Sequence, residues 1–278
     1  MTQTRYPSDI SDAQWQIIEP LIRTPQKKGG KPAEHPLREI VNGLFYILRT
    51  GCAWRMLPRE LPPKDAVYSH FRRWKKDGRL QKVNDALREA LRLKSEKEAS
   101  PSAAIVDSKS VPTTEKRGPR GYDAGKRVSG RKRHIVVDTL GMLLTVVVHS
   151  CGIQDPAGAR LVLPKLSGRF PRLKKIWGDN IYRGPLIEWV RELGWELEVV
   201  ERPKGQKGFV LLPRRWVVER TFAWQGLCRR LSKDYEGCPE STEAWVYLSM
   251  IGLMLRRLTG ESCKWQKKRG AVQHPAAA

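Results

Sequence analysis

The chain has 278 residues, with 52 Lys and Arg against 29 Asp and Glu and a formal net charge of +23. A field of that size serves a polyanionic partner rather than a fold, so nucleic acid leads and an anionic membrane surface follows. No apolar run can span a bilayer, no secretory h-region opens the chain, and five scattered cysteines without a CxxC pair exclude a disulfide framework and a zinc knuckle; they fit reduced thiols in a cytosol.

Residues 1–93 read as all helical. Ser11 with Gln14 forms a capping box ahead of a helix carrying Trp15, Ile18, Leu21 and Ile22. A basic Gly/Pro loop from Pro25 to Pro36 leads to a second helix, with Leu37, Ile40, Val41, Leu44, Phe45 and Leu48 at helical spacing. Gly51 to Pro63 is too rich in proline for a helix and should pack Trp54 as a lid. Asp65 is expected to cap a third helix that turns Val67, Phe71 and Trp74 inward. Its other side offers Tyr68, His70, Arg72, Arg73, Lys75 and Lys76. Three helices with a basic, aromatic last one resemble a helix-turn-helix module, whose final helix enters the major groove. A helical bundle with a merely solvated charged face fits the same pattern, and the net charge tips the balance toward DNA. A fourth helix, Leu80 to Leu91, closes this part.

Residues 94–102 (KSEKEASPS) read as a linker. Ala103 to Val106 is a short buried strand ending in Asp107, whose carboxylate needs a metal or a cation to offset its desolvation. Pro112 to Gly130, rich in Gly, Lys and Arg, reads as a mobile basic loop, either disordered or a clamp on DNA. His134–Asp138 and Met142–His149 form a hairpin, with His134 facing a strand neighbour and His149 ending a strand. Asp155 caps a helix running through Leu161 to Leu166. Leu173–Trp177 is another strand, and it leads into a turn with Asp179 just past its end. Pro185 opens a helix carrying Leu186, Ile187, Val190 and Leu193. Trp195–Val200 is a last strand, followed by a basic turn at Lys204–Gly208.

The stretch from Pro213 to Glu236 holds no proline after its first residue and reads as one long helix. Val217, Trp224, Cys228 and Leu231 form its buried stripe. A second column, Arg215, Glu219, Ala223, Gly226 and Arg230, places one carboxylate among arginines and two minimal side chains. Gly226 costs the helix about 1 kcal/mol against alanine. An open groove over Glu219 would explain it; so would an ordinary solvated Glu–Arg face.

Strand, hairpin, helix, strand, helix, strand, helix gives an α/β layer with mixed pairing. In such sheets sites collect at strand carboxyl ends, so Asp107 and Asp179 can meet there. With Glu219 they would repel one another unless divalent cations stood between them, and magnesium suits all-oxygen ligation. Two such ions about 3.5–4 Å apart serve phosphodiester hydrolysis and transfer. Spacing alone does not bring the three groups together.

The stretches DAQWQIIEPLI, LREIVNGLFYILRTGCAWRMLPRELPP, VYSHFRRWKKDG, IVDSKSV, GYDAGKRVSGRKRHIVVDTLGMLL, GDNIYRG, PRRWVVERTFAW and RRLSKDYE resemble bacterial insertion-sequence transposases of the DDE class, in the insertion-sequence-five group, from about Tyr6 to Leu258. The resemblance implies an RNase H-like mixed-sheet catalytic core over 103–260, preceded by the all-α helix-turn-helix-like domain, with a disordered basic tail over 261–278. It implies Asp107, Asp179 and Glu219 as catalytic, metal-binding residues for two Mg²⁺ (Mn²⁺ as substitute), with no domain inserted before the glutamate. Arg215 and Glu219 match the family's tyrosine–arginine–glutamate–lysine signature. Leu212 and Gly226 stand in place of its tyrosine and lysine, leaving Arg229, Arg230 or Lys233 as replacement cations. Asn180 and Ile181 replace small residues.

Expected DNA contacts are Tyr68, Arg72, Arg73, Lys75 and Lys76 of the third helix, then Lys109, Lys126, Arg131, Lys132, Arg215, Arg229, Arg230 and Lys233. The partners implied are double-stranded DNA, at terminal inverted repeats and target, and a second copy on DNA; the location is cytoplasmic and nucleoid-associated. Two alternatives remain open: a binding-only regulator or inactive copy, and another RNase H-like nuclease.

Overall fold

Four helices open the chain: α1 (Asp12–Ile22), α2 (Leu37–Thr50), α3 (Lys64–Lys76) and α4 (Arg79–Lys94). The computed structural model describes residues 5–23, 34–114, 117–200 and 215–261. Most of the basic loop at Pro25–Pro36, the turn at Lys204–Gly208, Leu212 and the tail beyond residue 261 therefore lie outside the described residues. Ser11 caps α1 by accepting from the Gln14 amide at 3.2 Å, but the Gln14 side chain turns to Glu261 instead of closing the box. Asp65 does not cap α3; Pro63 takes that place and Asp65 lies in the first turn, where its charge still suits the helix dipole. Trp54, in a short 3₁₀ turn, is the lid its loop foreshadowed: its ring lies 5.0 Å from Tyr68, 5.6 Å from Phe71 and 5.7 Å from Trp245.

Six strands follow: β1 (Ala103–Pro112), β2 (Gly121–Asp123), β3 (Val128–Asp138), β4 (Leu143–Ser150), β5 (Lys175–Gly178) and β6 (Glu196–Val199). The sheet runs β4-β3-β1-β5-β6, and β2 extends the edge of β3 that β4 also uses. β3 is antiparallel to β1 and β4, whereas β1, β5 and β6 are parallel. That antiparallel half joined to a parallel half is the RNase H-like arrangement. One face packs Ala104, Val106 and Val136 against α5 (Asp155–Val162) and α6 (Pro185–Glu192). The other packs Ile105, Ile135 and Val137 against α7 (Trp216–Gly226) and α8 (Pro239–Thr259).

Several elements differ from expectation. β1 does not stop at Val106 but continues through Asp107 to Pro112, because β3 pairs with it along that whole length. Within the basic stretch from Pro112 to Gly130, which read as a loop, Gly121–Asp123 pairs with Val128–Gly130 as a hairpin, and Arg131 donates to the Pro119 and Arg117 carbonyls at 2.9 and 2.6 Å. α7 ends at Gly226 rather than near Glu236, and Cys228 and Leu231 are buried in a 3₁₀ turn beyond it. Asp155 opens α5 without capping it, since its carboxylate is engaged elsewhere.

α8 went unread in the sequence, although Pro239 at its start, apolar Ala244–Leu255 and Gly260 in the left-handed conformation at its end all mark it. It is the core of the molecule. Trp245, Val246, Ile251, Met254 and Leu255 are fully buried and contact the helices and the sheet alike. α4 is tied to the β3–β4 hairpin as well, through a buried Arg92–Asp138 ion pair at 2.8 Å and a bond from Asn84 to the Leu143 carbonyl at 2.9 Å. Residues 94–102 thus join parts that share one hydrophobic core. No helix among the described residues is long and apolar enough to cross a membrane.

Because α8 serves both parts, Ile251→Ala should lower stability by roughly 2–5 kcal/mol. Helical ellipticity and tryptophan fluorescence should then fall in one coincident denaturant transition; two separated transitions would show independent folding of the two parts.

Candidate active site

β1 and β5 pair in parallel with Ile105 opposite Trp177. Asp107 and Asp179 each lie two residues further on, so both side chains emerge at the same level on the face that α7 covers. The strand period brings together two carboxylates 72 positions apart in the chain. Asp107 is held by the Ser108 amide at 2.7 Å, and Asp179 caps the 3₁₀ turn Asn180–Tyr182 by accepting from the Ile181 amide at 3.0 Å. Burial raises the Asp107 carboxyl to about 7, and the neighbouring Asp179 charge adds to the rise; the Ser108 amide, Arg215 and Lys126 oppose it.

Glu219 is placed differently. It sits in the first turn of α7, half exposed, and pairs with Arg215 one turn back at 2.9 Å. Arg215 is also within electrostatic reach of Asp107, so one guanidinium acts on two of the acids. Among the described residues no three His, Cys, Asp or Glu side chains are close enough to hold one metal ion together. The two aspartates suit a hard divalent cation, since ionising both in a desolvated site needs compensating charge; the glutamate does not join them in this arrangement. The surface over the helix column is open, for Ala223 and Gly226 are exposed and a Cβ on Gly226 would meet nothing within 4 Å.

Behind the aspartates, on the opposite face of the sheet, lies a buried polar network that spacing did not reveal. Ser108 donates to Asp155 at 2.7 Å, and Asp155 pairs with Lys132 at 2.8 Å. Tyr182, in the turn after Asp179, bonds His134 at 2.8 Å, and His134 meets His149 at 3.2 Å. Burial above all, and then His149, pushes His134 down to about 3, so the pair is held neutral. As expected, His134 faces a strand neighbour, meeting His149 on β4, and His149 stands one residue before that strand ends; both are buried. Gly178 lets this ring approach, since a Cβ there would lie 2.9 Å from the Tyr182 ring.

The expected DNA cations divide into two sets. Tyr68, Arg72, Arg73 and Lys76 on α3, with Lys109, Lys126, Arg229 and Lys233, are exposed. Arg131, Lys132 and Arg230 are corrections. Arg131 is buried against Asp234 at 3.3 Å, Lys132 against Asp155, and Arg230 against Glu236 at 2.6 Å. For Arg131 and Lys132 the reason is position: β3 is an interior strand covered on both faces, and a cation there must find an internal carboxylate, whereas Arg230 lies in the 3₁₀ turn after α7, six residues before its partner Glu236. Lys75 also points inward, donating to Ser241 at 3.0 Å.

Comparison with known proteins bears on the family of the chain. Residues 98–255 match the family model described as "Transposase DDE domain", and residues 10–84 match "Putative transposase of IS4/5 family". The chain is 32% identical over 107 residues, 37% of its length, to the "Insertion element IS402 uncharacterized 16.2 kDa protein" of Burkholderia cepacia, of which 71% is covered. Among solved structures, the Mos1 mariner paired end complex with Mn aligns over 84% of this chain and 80% of its own at 16% identity, with a TM-score of 0.26, too low to bear on the fold.

Asp107 sets a pH dependence. The native state holds a proton there that the unfolded chain has shed from about pH 4 upward, so the residue's contribution to stability falls as pH rises and is lowest above about 7. Asp107→Asn should therefore stabilise the metal-free protein more at about pH 8 than at about pH 5 by thermal melting. A second expectation concerns Gly158, where a Cβ would lie 2.5 Å from His134 Nδ1 and 2.6 Å from His149 Nε2. Gly158→Ala should cost about 1–3 kcal/mol in denaturant unfolding.

Proposed function

The chain belongs to the family of transposases that carry the DDE domain, and from that premise we propose that it binds the terminal inverted repeats of its own element, cuts the DNA ends and joins the freed 3′-hydroxyls to target DNA. The observation that carries the proposal is the pair of facing aspartates, one with its carboxyl raised to about 7 by burial and by its neighbour. Asp107, Asp179 and Glu219 are the residues that would hold two Mg²⁺ ions, with Mn²⁺ as substitute. Divalent ions bound there supply an activated water or 3′-hydroxyl and stabilise the leaving oxygen of a phosphodiester.

The protein's own residues set up that chemistry. The β1–β5 register holds the two aspartates side by side, partly buried, on the face that α7 covers. Glu219 has to turn from Arg215 to join them. A half-exposed pair one helical turn apart contributes less than about 1 kcal/mol, so a nearby phosphate that takes the guanidinium frees the carboxylate at little cost. Arg215, Lys109, Arg229 and Lys233 would then fix backbone phosphates around the break. The exposed side of α3, with Arg72, Arg73 and Lys76, would read the terminal repeats. Two ends are cut and joined together, so two copies of the chain would assemble on DNA.

A second reading has one observation in its favour: the third acid stands apart from the other two. A copy that grips element ends without cutting needs the positive charge and not the carboxylates. Incubating DNA that carries the element's ends with Mg²⁺ separates the two readings, because only an enzyme nicks it. Glu219→Gln should keep DNA binding within about twofold and lose more than the roughly 10–100-fold that an outer-shell partner is worth. Undiminished cleavage in that variant would remove Glu219 from the site.

A further inference from the structure

A cavity of about 610 Å³ opens between α3, the Trp54 turn and the segment from Arg230 to Ser241. Two half-exposed tyrosines, Tyr68 from α3 at 43% and Tyr235 at 36%, line it beside Trp54. Its cations are Arg55, Lys64, Lys75, Arg117 and Arg230, against Asp65 and Glu236. Two of them are answered within the wall: Lys64 pairs with Asp65 at 2.6 Å and Arg230 with Glu236 at 2.6 Å. Lys75 instead reaches neutral groups, Ser241 Oγ at 3.0 Å and Cys238 Sγ at 3.5 Å, and Arg55 is exposed at the rim. The wall therefore sets the rings of Tyr68 and Tyr235, the latter with the Arg230 guanidinium 5.8 Å from its centroid, beside Lys75 and Arg55, which meet no carboxylate among the described residues.

That combination matches a group with a flat ring and an anion a few ångströms apart. An acidic peptide would use the charge and leave the rings idle. An intact duplex would use the charge too, but its bases are stacked out of reach. We propose that the cavity receives one unstacked nucleotide of the bound DNA, its base laid on Tyr68 or Tyr235 and its phosphate on Lys75 and Arg55. The inference rests on the reading of the chain as a DNA-processing transposase, and it adds a site separate from the aspartates. β1 leads from one to the other: Pro112, whose carbonyl accepts from the Asp234 amide at 2.8 Å, is five extended residues, about 17 Å, beyond Asp107. A nucleotide in the cavity would thus lie within one turn of duplex, about 34 Å, of a phosphate at the aspartates.

The test compares two fluorescent chains of about twelve units, an oligothymidine and the same phosphodiester backbone without bases, in anisotropy titrations without divalent metal. The wild-type protein should bind the oligothymidine at least about fivefold more tightly, the low end of what one stacked base contributes. Tyr68→Ala with Tyr235→Ala should abolish that preference and leave affinity for the base-free chain unchanged, whereas Tyr68→Phe with Tyr235→Phe should retain it. If the alanine pair loses its thermal transition, leucine at both positions takes its place under the same criteria. Equal binding of the two chains by the wild type overturns the inference. So does a preference that survives loss of both rings, or displacement of the oligothymidine by oligoglutamate of the same charge as readily as by unlabelled oligothymidine. Preference without any cleavage of end-bearing DNA would leave this site standing and sink the transposase reading; cleavage without preference would do the reverse.

Discussion

Everything at the proposed catalytic face depends on two carboxyl groups held level on adjacent parallel strands. Parallel pairing of β1 with β5 makes them neighbours, and burial makes their shared ionisation unfavourable. A protein that only needed stability would not keep that arrangement, because a protonated or apolar residue there would be better tolerated. The unfavourable charge is stored for something that neutralises it. In a chain of this family, with open helix surface beside Glu219 and the Arg215 guanidinium in electrostatic reach of Asp107, a divalent cation with a DNA phosphate is the partner whose chemistry fits.

The positive charge of the chain is less available than its net value suggests. Arg131, Arg133, Lys132, Arg92 and Arg230 are buried, where they bond internal carboxylates or the carbonyl groups that end turns. These groups are structural: they lock the β2–β3 hairpin and the 3₁₀ segment after α7 onto the sheet. Among the described residues, the exposed cations left for a polyanion include those on the outer side of α3, at the end of β1, around the β2–β3 turn and beyond α7. The two uses reinforce one another, since the buried set fixes the surfaces that carry the exposed set.

The polar network on the far side of the sheet gives the site its rigidity. Ser108 follows Asp107 and Tyr182 follows Asp179 by three, so each acid is one short step of backbone from a side chain anchored in that network. Because strand residues alternate between faces, anchoring one neighbour aims the other. Neutral histidines suit this role: buried away from solvent, they bond Tyr182 and each other without bringing in a charge that would need its own partner.

Much of this was readable along the chain. Strand and helix periods, proline and glycine stops and the capping residue Ser11 located most elements, and the family motifs singled out Asp107, Asp179 and Glu219. These are local signals, written in a few consecutive residues, and they survive whatever the rest of the molecule does. The role of α8, the end of α7 at Gly226, the burial of Arg131, Lys132 and Arg230, and the separation of Glu219 from the aspartates were not readable that way. α8 needs a second face, and Arg131 and Lys132 need Asp234 and Asp155 from distant parts of the chain; Arg230 with Glu236 and Arg215 with Glu219 are near in sequence, but packing decides that these are the partners they meet. A cation's identity is fixed by its codon, but whether it meets solvent or a buried carboxylate is set by packing, and the large cost of an unpaired buried charge makes that choice all-or-none.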